Sequence, residues 1–139
     1  MKAIRIEEEV VREMIQHSES ESPNEACGIL AGVIEGDMVR VTEVHRCENV
    51  HPDPLMEYFV NPEDQLRIFL ELDAKEEDVV GFYHSHPRGP DSPSRIDASK
   101  NYWPDYPVAI VSLHPDATVT FWKWKNGRYH PVEMLRERF

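Results

Sequence analysis

Two stretches of this chain are apolar on nearly consecutive residues: Ala26, Cys27, Ile29, Leu30 and Ala31 within Glu25 to Val33, and Val108-Ala109-Ile110-Val111-Ser112-Leu113. A strand wetted on one side alternates apolar and polar residues, so continuous runs like these belong to strands buried on both faces. The chain must then supply a covering layer for each face. Val10, Val11, Met14 and Ile15 follow helical spacing and predict a first helix ending near His17. Asn61-Pro62-Glu63-Asp64 combines a capping residue, a proline at the first helical position and acids in the first turn, and Leu66, Ile68, Phe69, Leu70 and Leu72 continue it as a second helix. The expected class is α/β (mixed α+β), a mixed β-sheet flanked by helices.

Shorter signals fill in the rest. A strand is expected at Lys2 to Ile6, and Ser18 to Asn24 reads as a polar link. Glu35-Gly36-Asp37 is a hairpin turn into a strand over Met38 to Val44. Arg46 to Leu55 reads as a loop, and Tyr58-Phe59-Val60 as a short strand. Thr118 to Lys125 alternates as a strand, with Trp122 and Trp124 assigned to the core, and Asn126-Gly127 turns the chain into a last strand at Tyr129 and beyond.

Chemistry concentrates in one window. Val79, Val80, Phe82 and Tyr83 form an apolar run of high β propensity that ends in His84-Ser85-His86-Pro87. Side chains two apart on a strand share a face, so His84 and His86 project together at its carboxyl end. Pro87 to Pro93 turn the chain, and Ser94 then caps a short helix in which Asp97 falls at the third position. Two imidazoles and one carboxylate are a ligand set of catalytic zinc, with water at the fourth tetrahedral position. Taken separately, Ser94 with Asp97 is an ordinary capping box and His-x-His a polar strand end; it is their closeness in the sequence that favours a metal.

Composition narrows the field. At 139 residues the chain has the size of one domain, 1–139, and no run approaches the roughly 18 apolar residues of a membrane span. The N-terminal residues turn acidic at once, without a signal-peptide core, so a cytoplasmic location is expected. Fifteen basic against 26 acidic residues give a net charge of −11, which repels nucleic acid and anionic membranes. Cys27 and Cys47 are the only cysteines, too few for a disulfide framework or a zinc-thiolate site, and are expected as buried free thiols. Cys27 faces the same way as Glu25, but packing is its expected role. His45, His51, His114 and His130 are scattered and read as ordinary polar residues.

His84-Ser85-His86-Pro87, the seven residues between His86 and Ser94, and Ser94-x-x-Asp97 resemble the signature of the JAMM (MPN-plus) metalloproteases, and Asn24-Glu25-Ala26-Cys27-Gly28-Ile29-Leu30 resembles the segment that carries their upstream glutamate. The likeness runs from the first helix to the Trp122 region, and it is to the small prokaryotic members. It implies the JAMM/MPN fold, similar to that of cytidine deaminases, with a zinc site at a strand end. It implies one Zn2+ on His84, His86 and Asp97, with Glu25 acting on the attacking water and Ser94 helping to hold the oxyanion. The implied reaction is hydrolysis of the amide after the Gly-Gly tail of a ubiquitin-like modifier or sulfur-carrier protein. Whether the leaving group is a cysteine, a short extension or a lysine side chain stays open, as does pairing into a homodimer. Arg46 to Val60 is the expected wall of a groove for the tail. The alternative is a metal-free MPN scaffold; a DNA-repair relative with a similar His-x-His-Pro loop is disfavoured by the acidic charge.

Overall fold

The computed structural model describes residues 3–138. The chain runs β1 (Ala3–Glu7), α1 (Glu8–Glu21), β2 (Cys27–Glu35), β3 (Met38–Cys47), α2 (Pro62–Ala74), β4 (Asp78–His86), α3 (Arg95–Lys100), β5 (Val108–Ser112), β6 (Thr118–Lys125) and β7 (Arg128–Glu137). The sheet is mixed, as expected, but it closes on itself in the order β1-β3-β2-β4-β5-β6-β7. Closure comes from β1, which lies parallel to both β3 and β7, with Ile4 opposite Val39 on one side and Met134 on the other. The predicted start of β1 at Lys2 lies outside the described residues.

Alternation along β2 shows how both faces are buried. Leu30 joins one cluster with Ile4, Ile6, Met14 and Phe121, whereas Cys27, Ile29 and Ala31 point the other way, to Ile68, Leu72 and Phe82. The first cluster takes the apolar stripe of α1 (Val10, Val11, Met14), and the second takes that of α2 (Ile68, Leu72). Each helix therefore covers one face of the same strand. On β4, Tyr83 belongs to the α1 side and Phe82 to the α2 side, so by parity His84 and His86 share the side of α2.

Three local expectations change. Helix α1 runs past His17 to Glu21 because its polar last turns are satisfied: His17 Nδ1 lies 2.7 Å from the Tyr83 hydroxyl, a tertiary partner, and the Ser18 hydroxyl donates back within the helix to Met14 O at 2.8 Å. Tyr58-Phe59-Val60 makes no strand; Val60 forms a single bridge with Asn49. Trp122 and Trp124 are half-buried and outside both clusters, because the inward residues of β6 are Val119 and Phe121. The Trp122 indole donates to Thr120 Oγ1 at 2.9 Å, and Trp124 meets Tyr129 edge-on. The tryptophan that packs inward is Trp103, stacked on Phe82 with ring centroids 3.9 Å apart.

Candidate active site

Strand β4 carries His84 and His86 to the carboxyl edge of the sheet, both buried. The turn after Pro87 returns the chain so that Ser94 opens α3, where its Oγ accepts the Asp97 N–H at 3.0 Å and Asp97 Oδ2 accepts the Ser94 N–H at 2.8 Å. The capping box is thus real, and it has a second consequence: it fixes Asp97 over the two imidazoles. Asp97 Oδ1 lies 3.1 Å from His84 Nε2, and Oδ2 lies 3.1 Å from His86 Nε2. One ligand atom from each of the three residues falls within 4.8 Å of the other two.

The protonation states suit a cation. Burial disfavours charge on Asp97, but His84, His86 and the Ser94 N–H together hold its carboxyl well below the usual carboxylate range. His86 Nδ1 sits 2.8 Å from Pro90 O, an acceptor only, so Nδ1 carries a proton and donates it, while Nε2 faces Asp97 Oδ2. Burial lowers the His86 pKa but the Asp97 carboxylate raises it on balance, and a cation between the two would take the Nε2 lone pair in place of that proton. His84 is held by stacking on Tyr58, with centroids 4.4 Å apart, and neither of its ring nitrogens has an aligned hydrogen-bond partner. A buried imidazole without partners is costly unless something else takes its lone pair. The 3.1 Å nitrogen to oxygen separations also approach the edge of about 3.3 Å of a tetrahedron with bonds near 2.0–2.1 Å. These three residues fit a zinc ion.

Glu25 precedes β2 and is buried beside His86. Its backbone N–H donates to Pro54 O at 2.8 Å, and its carbonyl accepts Asn49 Nδ2 at 2.9 Å. Its Oε1 is buried without a hydrogen-bond partner. Burial pushes its carboxyl up to about 8, against the pull of His86. Such a carboxyl exchanges protons near neutrality.

All five residues singled out in the sequence, Glu25, His84, His86, Ser94 and Asp97, therefore meet in one place. Residues 7–125 match the model of the prokaryotic homologs of the JAB domain. The chain belongs to that family. Among JAB-domain proteins it is 35% identical to the desampylase of Haloferax volcanii over 83% of this chain and 80% of the relative. It is 31% identical to the CysO-cysteine peptidase of Mycobacterium tuberculosis over 77% of this chain and 71% of the relative. The solution structure of a Desulfitobacterium hafniense protein superposes on it with a TM-score of 0.89 at 27% identity, covering 98% of this chain and 94% of that one.

One residue of this JAB domain, Asn49, acquires a role that the sequence did not announce. Asn49, in the irregular segment, donates to both Glu25 O and Glu57 O and accepts the N–H groups of His51 and Phe59, which staples that segment to the Glu25 backbone. Leu55 and Met56 from the same segment border a cavity of about 140 Å3 with Glu25, His86, Arg88 and Ser94. Cys27 packs against the α2 side as a buried free thiol. His45, His51 and His130 make local contacts with Glu43, Glu57 and Lys125 O.

Proposed function

We propose that this chain is a zinc-dependent metallopeptidase or isopeptidase, one domain over residues 1–139, that acts in the cytoplasm on the amide bond after the Gly-Gly tail of a ubiquitin-like modifier or sulfur-carrier protein. The observation that carries this reading is the buried, partnerless Glu25 carboxylate oxygen in the same small site as His84, His86 and Asp97. The names of two relatives, a desampylase and a CysO-cysteine peptidase, point to the same reaction class. That no helix among the described residues is long and apolar enough to cross a membrane agrees with a substrate met in solution.

His84, His86 and Asp97 would hold the zinc ion, which when bound supplies Lewis acidity and brings the pKa of a water toward about 7. Glu25 takes a proton from the attacking water as its oxygen bonds to the carbonyl carbon, and gives that proton to the nitrogen as the C–N bond breaks. The products are the tail carboxylate and a free amine. Ser94 Oγ accepts the Asp97 N–H, which leaves the hydroxyl hydrogen free to donate to the carbonyl oxygen as it becomes negative.

The test is turnover of a sulfur-carrier protein bearing a C-terminal extension, with and without chelator, by wild type and by Glu25→Gln. Turnover is expected to vanish with chelator and in Glu25→Gln. Activity that survives both would overturn the mechanism.

A further inference from the structure

We propose that Arg88 forms a carboxylate subsite on the leaving side of the scissile bond, so that the preferred leaving group is a residue with a free C-terminal carboxylate rather than an internal lysine side chain. The inference rests on the peptidase reading above and decides a point that reading leaves open.

Arg88 lies two residues after His86, and among the described residues lining the cavity of about 140 Å3 it is the only lysine or arginine. No carboxylate among the described residues lies within ion-pair distance of it, although its charge pulls on the Glu25 carboxyl across the cavity. Arg5, Arg12, Arg46, Arg67 and Arg136 each lie within ion-pair distance of a glutamate or aspartate. Arg88 instead reaches only neutral acceptors, Leu55 O and Met56 Sδ, both 3.3 Å from Nη2, and it forms no salt bridge among the described residues. In a chain with 26 acidic residues, a guanidinium that lines a cavity with no carboxylate at ion-pair distance is an open receptor for one. The two contacts tie the guanidinium to Leu55 and Met56, which line the same cavity.

The chemistry of the leaving group favours the same assignment. Glu25 must protonate the departing nitrogen, so that nitrogen lies against Glu25, in the cavity that Arg88 also lines. In an α-amino acid the carboxylate is only two bonds beyond that nitrogen. A proton donor and a carboxylate receptor therefore have to share one small chamber, and this one is well below the roughly 300–1,000 Å3 of ordinary ligand pockets. An isopeptide-linked lysine presents its nitrogen at the end of four methylenes, with its own carbonyl in a peptide bond, and offers Arg88 no charge.

Three substrates separate the possibilities: a tail peptide ending Gly-Gly-Ala with a free acid, the same peptide as its C-terminal amide, and Gly-Gly joined to the side chain of a lysine in a blocked peptide. Wild type is expected to favour the acid over the amide by about tenfold in kcat/KM, mainly through KM. Arg88→Ala should bring that ratio near one, and Arg88→Lys should restore part of it. Equal turnover of acid and amide by wild type, or an unchanged ratio in Arg88→Ala, overturns the subsite. A second readout does not need turnover: in full-length Glu25→Gln, the Arg88 Nε–H resonance should shift with Gly-Gly-Ala and not with its amide. If wild type cuts none of the three substrates, the peptidase reading fails, and the resonance alone then decides: a shift specific to the acid keeps the carboxylate site, and an equal shift or none removes it.

Discussion

The Ser85 hydroxyl accepts the Ala26 N–H at 2.8 Å, while the Ser85 N–H donates to Ala26 O at 3.0 Å. This double clasp joins the middle of His84-Ser85-His86 to the residue after Glu25. The serine points away from the two imidazoles, and through Ala26 it sets how far Glu25 stands from them. Ser85 is fully buried, so no water replaces its oxygen.

Ser85→Ala should therefore cost about 1–3 kcal/mol of stability, the penalty for a buried N–H left without a partner. Its kcat should fall further than its zinc content, because Glu25 is loosened while the ligands keep their places. Chemical denaturation, metal analysis and kinetics on one preparation test this; a variant with unchanged kcat would show that the clasp does not position Glu25.

Asp97 and Ser94 should separate under mutation. Asp97→Asn is expected to lose most bound zinc, since it removes the carboxylate charge opposite His84 and His86. Ser94→Ala should keep zinc, lose about 1 kcal/mol for the helix cap, and lower kcat. Zinc retained at full occupancy in Asp97→Asn would count against the ligand set.

Stability should depend on pH through His17. Burial, helped by the positive charge of Arg46, lowers its pKa from 6.5 to about 4 in the folded chain. Between those values the unfolded chain binds the proton and the folded one does not, so stability is full above about 6.5 and is lost as pH falls toward about 4. The loss should be on the order of 2 kcal/mol. His17→Gln should be less stable than wild type at neutral pH, with the gap closing as pH falls; urea denaturation from pH 7 to pH 4 measures it, and a constant gap would exclude His17.

Neither cysteine should react with a thiol reagent in the native state. Burial pushes the Cys47 thiol up to about 12 and Cys27 higher still, so almost no thiolate exists at neutral pH. Ellman titration should count no thiols until denaturant is added, and two afterwards. Rapid native reaction of either would mean that the strand pair opens.

Local pattern carried a great deal of this protein. Strand parity placed His84 and His86 on one side, Pro87 ended the strand, and Ser94 with Asp97 marked the next helix, because each depends on residues within a few positions of one another. Continuous apolar runs in β2 and β5 announced strands covered on both faces, and the helices that cover β2 were legible from their spacing. Glu25 was visible only through its resemblance to a family segment, since nothing local sets it apart from the other acidic residues.

Tertiary structure alone decided three things. Closure of the sheet rests on Ile4 meeting Met134, a pairing between chain ends that no local signal encodes. The roles of Ser85 and Asn49 come from backbone groups of Ala26, Glu25 and Glu57 brought to them by folding. Arg88 became a candidate receptor only when its surroundings were known: sequence can show that an arginine is present, but whether a carboxylate already neutralises it depends on which side chains the fold brings within a few ångströms.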